Sequence, residues 1–254
     1  MVADRPIAPH ASAAPPVAGA ERRRRRKKRL RDALDPAARP AGLPAPWESL
    51  AWRQLAPFRN RSKARLFVAE HEGRLVVCKD CSLAARLPLA GGFRRWTLRN
   101  EAHVLAALDG LAGVPRLLAA WRSGLVMEHV PGRLLTELRG TTVPAAVFDR
   151  LDALLAAIHG RGVAIGDLHR RNILVDEQGA VGIIDFEIAF DERRGFLRRL
   201  TGSMQRLDRF AAARQRQAFG VALRPEHEAL LRSPPAWYRV GRRLKRWLSL
   251  MRRR

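Results

Sequence analysis

An α+β fold is what this sequence predicts, and two kinds of apolar pattern predict it. Short apolar runs at 66–69, 75–78, 125–127 and 173–175 have the length of buried strands and are bounded by polar or turn residues. Two other stretches, 104–108 and 147–158, repeat apolar residues every three or four positions, as a helix with one buried face does. A third observation is local. The polar segment Gly166-Asp167-Leu168-His169-Arg170-Arg171-Asn172 opens into Ile173-Leu174-Val175, and a second run ends at Ile183-Ile184-Asp185-Phe186. Acidic and amide side chains projecting at the edges of two strands suit a divalent metal and a phosphate.

In chain order, Leu66-Phe67-Val68-Ala69 reads as a strand, and Leu75-Val76-Val77-Cys78 as a second one ending in Lys79. Asn100 to Leu108 reads as a helix from the spacing of Val104, Leu105 and Leu108, with Glu101 expected in its first turn, where a carboxylate suits the helix dipole. Gly124-Leu125-Val126-Met127-Glu128-His129-Val130 reads as a strand stopped by Pro131-Gly132. Val147, Leu151, Leu154, Leu155 and Ile158 mark a buried helix face ending at His159-Gly160. Directly after it comes the polar loop, in which Asp167 can accept a proton from a hydroxyl while Asn172 and Asp185 hold Mg2+ on a nucleotide.

The order Lys79, Glu101, Met127-Glu128, Asp167, Asn172, Asp185 resembles that of the protein-kinase-like superfamily, over about residues 60–190. The resemblance implies a two-lobed domain over 46–232, with a small β-rich N-lobe (about 50–128) and a reduced helical C-lobe (about 131–232). It implies that Lys79, held by Glu101, aligns the α- and β-phosphates of ATP. Met127 then flanks the back of the nucleotide pocket, and the backbones of Glu128 and Val130 meet adenine. Asp167 orients the acceptor hydroxyl, Asn172 and Asp185 bind Mg2+, and His169 and Arg171 are secondary candidates beside the transferred group. For His169, a hydrogen bond that stabilises the loop is an equal alternative.

Departures from the pattern narrow the group. Ile165-Gly166 stand where protein kinases have His-Arg, Glu187 replaces the Gly after Asp-Phe, and no Ala-Pro-Glu follows residue 190. The chain is therefore most similar to bacterial lipopolysaccharide core kinases and related short bacterial serine/threonine-type kinases. No Gly-rich loop precedes Lys79; Arg59-Asn60-Arg61-Ser62-Lys63-Ala64-Arg65 stands there, with cationic side chains to cover phosphates. The function implied is transfer of the γ-phosphate of ATP to a hydroxyl, the expected acceptor being a sugar of a membrane glycolipid such as lipopolysaccharide core. The alternatives are a serine/threonine protein kinase and a basic pseudokinase scaffold that binds membrane or nucleic acid without transfer.

Charge bears on partners. The 254-residue chain has a net charge of +24, but nine cations lie within 21–31 and eight within 239–254, leaving the middle only moderately basic. Residues 1–45, rich in Ala and Pro and then in Arg, are expected to be a disordered tail. The first twenty fit neither a signal peptide nor a membrane span. Residues 233–254 are expected to form a basic amphipathic helix, with Val240, Leu244, Trp247, Leu248 and Met251 on one face. It either lies in an anionic lipid interface or docks on the domain. A second basic and apolar segment, 193–200, stands where an acceptor would approach. A peripheral position on the inner face of the cytoplasmic membrane follows from this reading. Nucleic acid is the weaker partner for the tails, since there is a single Tyr and no nucleic-acid-binding signature. Cys78 and Cys81 lack the further ligands a zinc site needs, and are expected as buried thiols of a reducing compartment.

Overall fold

The computed structural model of the chain describes residues 38–55, 64–85, 90–193, 198–235 and 238. The Arg-rich segment 21–31, the proposed phosphate loop up to residue 63, positions 194–197 of the basic segment and the basic helix over 239–254 lie outside the described residues.

Strands β1 (Arg53–Gln54), β2 (Arg65–His71), β3 (Arg74–Asp80), β4 (Leu117–Trp121) and β5 (Gly124–Glu128) form one antiparallel sheet in the order β1-β2-β3-β5-β4. The β2–β3 hairpin turns on Glu72-Gly73, both with positive φ (51° and 73°), closed by the pair His71 and Arg74. Two left-handed residues match the right-handed twist of the flanking strands. Alternation along β3 then sorts its side chains. Val76 and Cys78 join Trp47, Trp52, Phe67 and Val126 in a small core on the outer face, while Val77 joins the main core with Met127. Lys79, two positions on from Val77, shares that inner face. Both faces of β3 are covered, which is why five consecutive residues, Val76 to Asp80, are buried.

The outer core recruits residues 38–45, which the sequence reading assigned to the tail. Ala38 and Leu43 pack on the cluster around Trp47 and Trp52; Arg39 donates to the Trp52 carbonyl (2.7 Å) and Trp121 to the Ala41 carbonyl (3.2 Å). Two buried tryptophans supply apolar area that the Pro- and Ala-rich composition around them conceals.

After the short helix α1 (Ser82–Ala85), helix α2 runs from Ala90 to Ala107. Glu101 therefore sits well inside α2 and not in its first turn. The Gly91-Gly92 pair hides the start, and Phe93 and Trp96 in the first two turns are exposed, so no apolar stripe announces them. Leu98, Glu101, Leu105 and Leu108 lie three or four apart with Val104 beside them, and all are buried. A carboxylate thus occupies the buried stripe of α2, a costly placement without a cationic partner.

The second half carries β6 (Arg133–Leu134), α3 (Ala145–Gly160), β7 (Val163–Ala164), β8 (Ile173–Val175), β9 (Val181–Ile183), β10 (Phe190–Asp191), α4 (Arg198–Ala218) and α5 (Pro225–Arg232). The strands make a small β6-β8-β9 sheet and a β7–β10 pair. Helix α3 buries Val147, Phe148, Leu151, Leu154, Leu155 and Ile158. These meet Ile173, Ile183 and Phe186 in a core continuous with Leu105, Leu125 and Met127 of the first half. The architecture is α+β in two lobes, with the polar loop 166–172 and Asp185 at their junction. Among the described residues no helix is long and apolar enough to cross a membrane.

Candidate active site

Lys79 on β3 points into a cage of carboxylates. Its Nζ lies 2.7 Å from Glu101 Oε2, 2.8 Å from Glu187 Oε1 and 3.1 Å from Asp185 Oδ1. Glu187 is shared with Arg94 of α2 at 2.6 Å. Burial works against the charge of Lys79, but the three carboxylates outweigh it and hold the ammonium pKa well above its ordinary value. Burial raises the pKa of Glu101, and Lys79 offsets this only in part. Asp185 is the reverse case: burial would raise its pKa, yet the charge and hydrogen bond of Lys79 prevail and lower it. Glu101, Asp185 and Glu187 bring oxygens within 4.8 Å of one another, as a metal cluster would, but the Lys79 ammonium is already the cation at their centre.

Asp185 reaches this place through a left-handed backbone, φ 71°, two residues beyond the end of β9 at Ile183, and its carboxylate is about half exposed. Phe186 next to it is fully buried, and its N–H points at Glu101 Oε1 (3.4 Å). The sequence reading missed Glu187 and Arg94 as parts of this network. Glu187 was read only as a departure from the family pattern, and nothing local to Arg94 distinguishes it from the neighbouring arginines.

The loop 166–172 is set by groups that its own sequence does not contain. Gly166 has φ 75°, and a Cβ there would come within 2.9 Å of the Phe190 ring, so both conformation and space require glycine. The buried Asp208 of α4 accepts from Ile165 N (2.7 Å), Gly166 N (2.9 Å) and His159 Nε2 (3.1 Å), tying the entry of the loop to α3 and α4. Its one sequence signal is an acidic residue in phase with Thr201, Met204 and Ala212 on the buried side of α4. Beyond the anchor, Asp167 is exposed, His169 Nε2 lies 3.8 Å from its carboxylate, and Arg171 is exposed beside them. Asn172 is buried; its Nδ2 donates to the Asp167 carbonyl (3.2 Å), and its backbone oxygen accepts from Ile184 N (2.9 Å), which fixes the loop against the segment that leads from β9 to Asp185.

Met127 lies across from Val77 in the β3–β5 register, and Val130 packs directly over Gly182 of β9, which leaves no room for a Cβ there. The Glu128 side chain turns to Arg74 (3.5 Å) and its backbone N–H to the Arg116 carbonyl (2.9 Å). That N–H is therefore unavailable to a nucleotide, so of the backbone contacts expected from Glu128 its donor is already used. For Mg2+ the donor set fits: a partly exposed carboxylate with lowered pKa at Asp185, and an amide at Asn172 whose nitrogen is committed to Asp167, leaving the oxygen for a cation.

No protein-family model matches the chain. It is 29% identical over 154 residues to a probable SapB synthase of Streptomyces coelicolor, a match covering 52% of this chain and 17% of that protein. It is also 29% identical over 114 residues to a 3-deoxy-D-manno-octulosonic acid kinase of Vibrio vulnificus, covering 39% of this chain and 48% of the enzyme. The chain thus matches about half the length of that curated relative. Among solved structures, the Rio2 kinase of Chaetomium thermophilum superposes with a TM-score of 0.51 at 21% identity, over 65% of this chain and 57% of that one. Two lobes, a Lys–Glu pair between sheet and helix, and the likeness to the Rio2 kinase give the chain a protein-kinase-like fold, similar over part of its length to a bacterial 3-deoxy-D-manno-octulosonic acid kinase.

Proposed function

We propose that the chain is an ATP-dependent phosphotransferase whose acceptor is a hydroxyl of a membrane glycolipid sugar. The observation that carries this is the link of Lys79 to Glu101 and Asp185 at once, with Asp167 and Asn172 on the adjoining loop. Lys79 is held charged and aimed, which suits it to the α- and β-phosphates of ATP. Mg2+ at Asp185 and Asn172 supplies, when bound, neutralisation of the phosphate charge. Asp167 orients the acceptor hydroxyl toward the γ-phosphorus. The acceptor oxygen forms the new P–O bond, the bond to the β–γ bridging oxygen breaks, ADP leaves with that electron pair, and the acceptor proton passes to Asp167 and on to solvent. Arg171 adds positive charge beside the transferred group, and His169 offers a ring nitrogen there. Positioning and electrostatics supply the acceleration.

The kinship with octulosonic acid kinases supports a saccharide acceptor, and the basic segments of the chain support a site of action at the inner face of the cytoplasmic membrane. The test is transfer of labelled γ-phosphate from Mg-ATP into a bacterial membrane extract, for wild type and Asp167→Ala. Label entering the lipid-linked saccharide fraction with wild type, and falling about 10²–10⁴-fold with the variant, is the expected result. Label confined to protein would move the reading to a protein kinase. Equal inertness of both proteins would remove catalysis.

A further inference from the structure

Beyond Asp167 the loop faces helix α4 across a cavity of about 550 Å³. Its charge is unbalanced. Asp208 borders it, but both of its oxygens are committed to Ile165 N, Gly166 N and His159. Asp167 is the other carboxylate there, and Arg170, Arg171 and Arg214 line the same cavity. None of the three has a carboxylate at ion-pair distance among the described residues, whereas Arg94, Arg216 and Arg224 all do. Arg214 is nevertheless held in place. It donates to the Tyr238 hydroxyl at 2.9 Å and its guanidinium carbon lies 5.2 Å from the centre of that ring, which itself packs on Phe210. One of its five donors is used, so the fork remains able to receive an anion.

A second observation is independent of charge. Gln215 Oε1 and His169 Nδ1 are both buried, both belong to residues lining this cavity, and neither has a hydrogen-bond partner. Buried polar atoms are nearly always satisfied, so these two side chains leave hydrogen-bonding capacity unmet beside the cavity. A cavity lined by arginines without carboxylate partners among the described residues, beside polar side chains with unmet hydrogen bonds, matches a ligand that is both anionic and polar.

We infer that this cavity is the acceptor cleft, and that Arg214, with Arg170, selects an acceptor bearing a carboxylate or phosphate close to the hydroxyl presented to Asp167. The inference rests on the phosphotransferase reading and adds to it the charge of the acceptor and the residues that read it, on α4 and at Tyr238.

The test uses the full chain and two matched pairs of probes. One pair is the methyl glycoside of 3-deoxy-D-manno-octulosonic acid and its carboxyl methyl ester; the other is glucose 1-phosphate and methyl glucoside. Titration calorimetry measures binding, and label transfer from Mg-ATP measures turnover. Wild type is expected to bind at least one anion ten times or more tighter than its neutral counterpart, and the pair that does so identifies carboxylate or phosphate. In Arg214→Gln that ratio falls toward one. In Arg122→Gln, which removes an equal charge from an exposed turn away from the cleft, it is kept. Equal binding of anion and neutral sugar, no binding of either anion at 10 mM concentration (about the weakest range such a titration resolves), or an unchanged ratio in Arg214→Gln would each overturn the inference. Anion preference without transfer to any probe or membrane extract would keep the cleft and remove the phosphotransferase reading. Transfer without anion preference would do the opposite.

Discussion

Replacing Asp208 by Asn changes no volume and removes one charge, so its effect isolates what the anchor does for the loop. The wild-type carboxylate accepts from three donors, Gly166 N on one oxygen and Ile165 N and His159 Nε2 on the other. An amide has one acceptor oxygen. Its most favourable orientation keeps the two bonds to Ile165 and His159 and turns the NH2 toward Gly166 N, a donor facing a donor. Each retained bond drops from charge-assisted to neutral, a loss of about 1 kcal/mol apiece, and the orphaned N–H costs about 1–3 kcal/mol more. The expected loss is about 3–5 kcal/mol, a drop in melting temperature of roughly 6–20 °C for a domain of this size. Asp167 follows Gly166 directly, so a shift of the loop entry by about 1 Å would lower turnover on the order of 10²-fold even where the variant is fully folded. Urea unfolding gives the stability change, and transfer of label at a temperature well below the new midpoint gives the activity. A stability loss under about 1 kcal/mol, or turnover within about twofold of wild type, would refute the idea that Asp208 anchors the loop.

Other expectations follow from the same structure. Gly166→Ala meets both a positive φ and the Phe190 ring at 2.9 Å, so it should lose about 1–3 kcal/mol in thermal unfolding and lower turnover. Asp191 has a fully buried side chain; burial opposes its charge, but Arg193 and His103 outweigh that and hold its pKa below the usual carboxylate range. Its stabilisation is therefore present above about pH 4 and lost as pH falls through the folded value, so the stability gap between wild type and Asp191→Asn should close in acid, as urea midpoints against pH would show. A gap independent of pH would count against this. Burial pushes the Cys81 thiol up to about 11, and Cys78 goes higher still. At pH 8 only about one Cys81 in a thousand is thiolate, so a thiol reagent should label the native protein slowly and in step with unfolding. A fast burst of one equivalent would show an open thiol.

Much of this protein was legible before its structure. Lys79, Asp167, Asn172 and Asp185 sit beside short apolar runs whose length and alternation mark strands, and strand geometry dictates where the next side chain points. The helix face of α3 was readable for the same reason, since its period of burial is local. The resemblance to protein-kinase-like chains rests on order along the sequence, which linear reading is suited to find. Less was visible where partners are far apart in the chain. The start of α2 is masked by Gly91-Gly92 and exposed aromatics, and residues 38–45 are ordered only because two tryptophans and the far side of β3 await them. Asp208, Glu187, Arg94 and the pairing of Arg214 with Tyr238 carry no motif, because a buried charge is defined by what surrounds it. The sequence by itself determined the chemical type and order of the groups proposed for phosphoryl transfer, since both are properties of the chain read linearly. Tertiary structure alone decided that Asp208 holds the loop, that Glu187 joins Lys79, and that three arginines without carboxylate partners among the described residues line the cavity at Asp167, because electrostatic compensation depends on distance in space and not on distance along the chain.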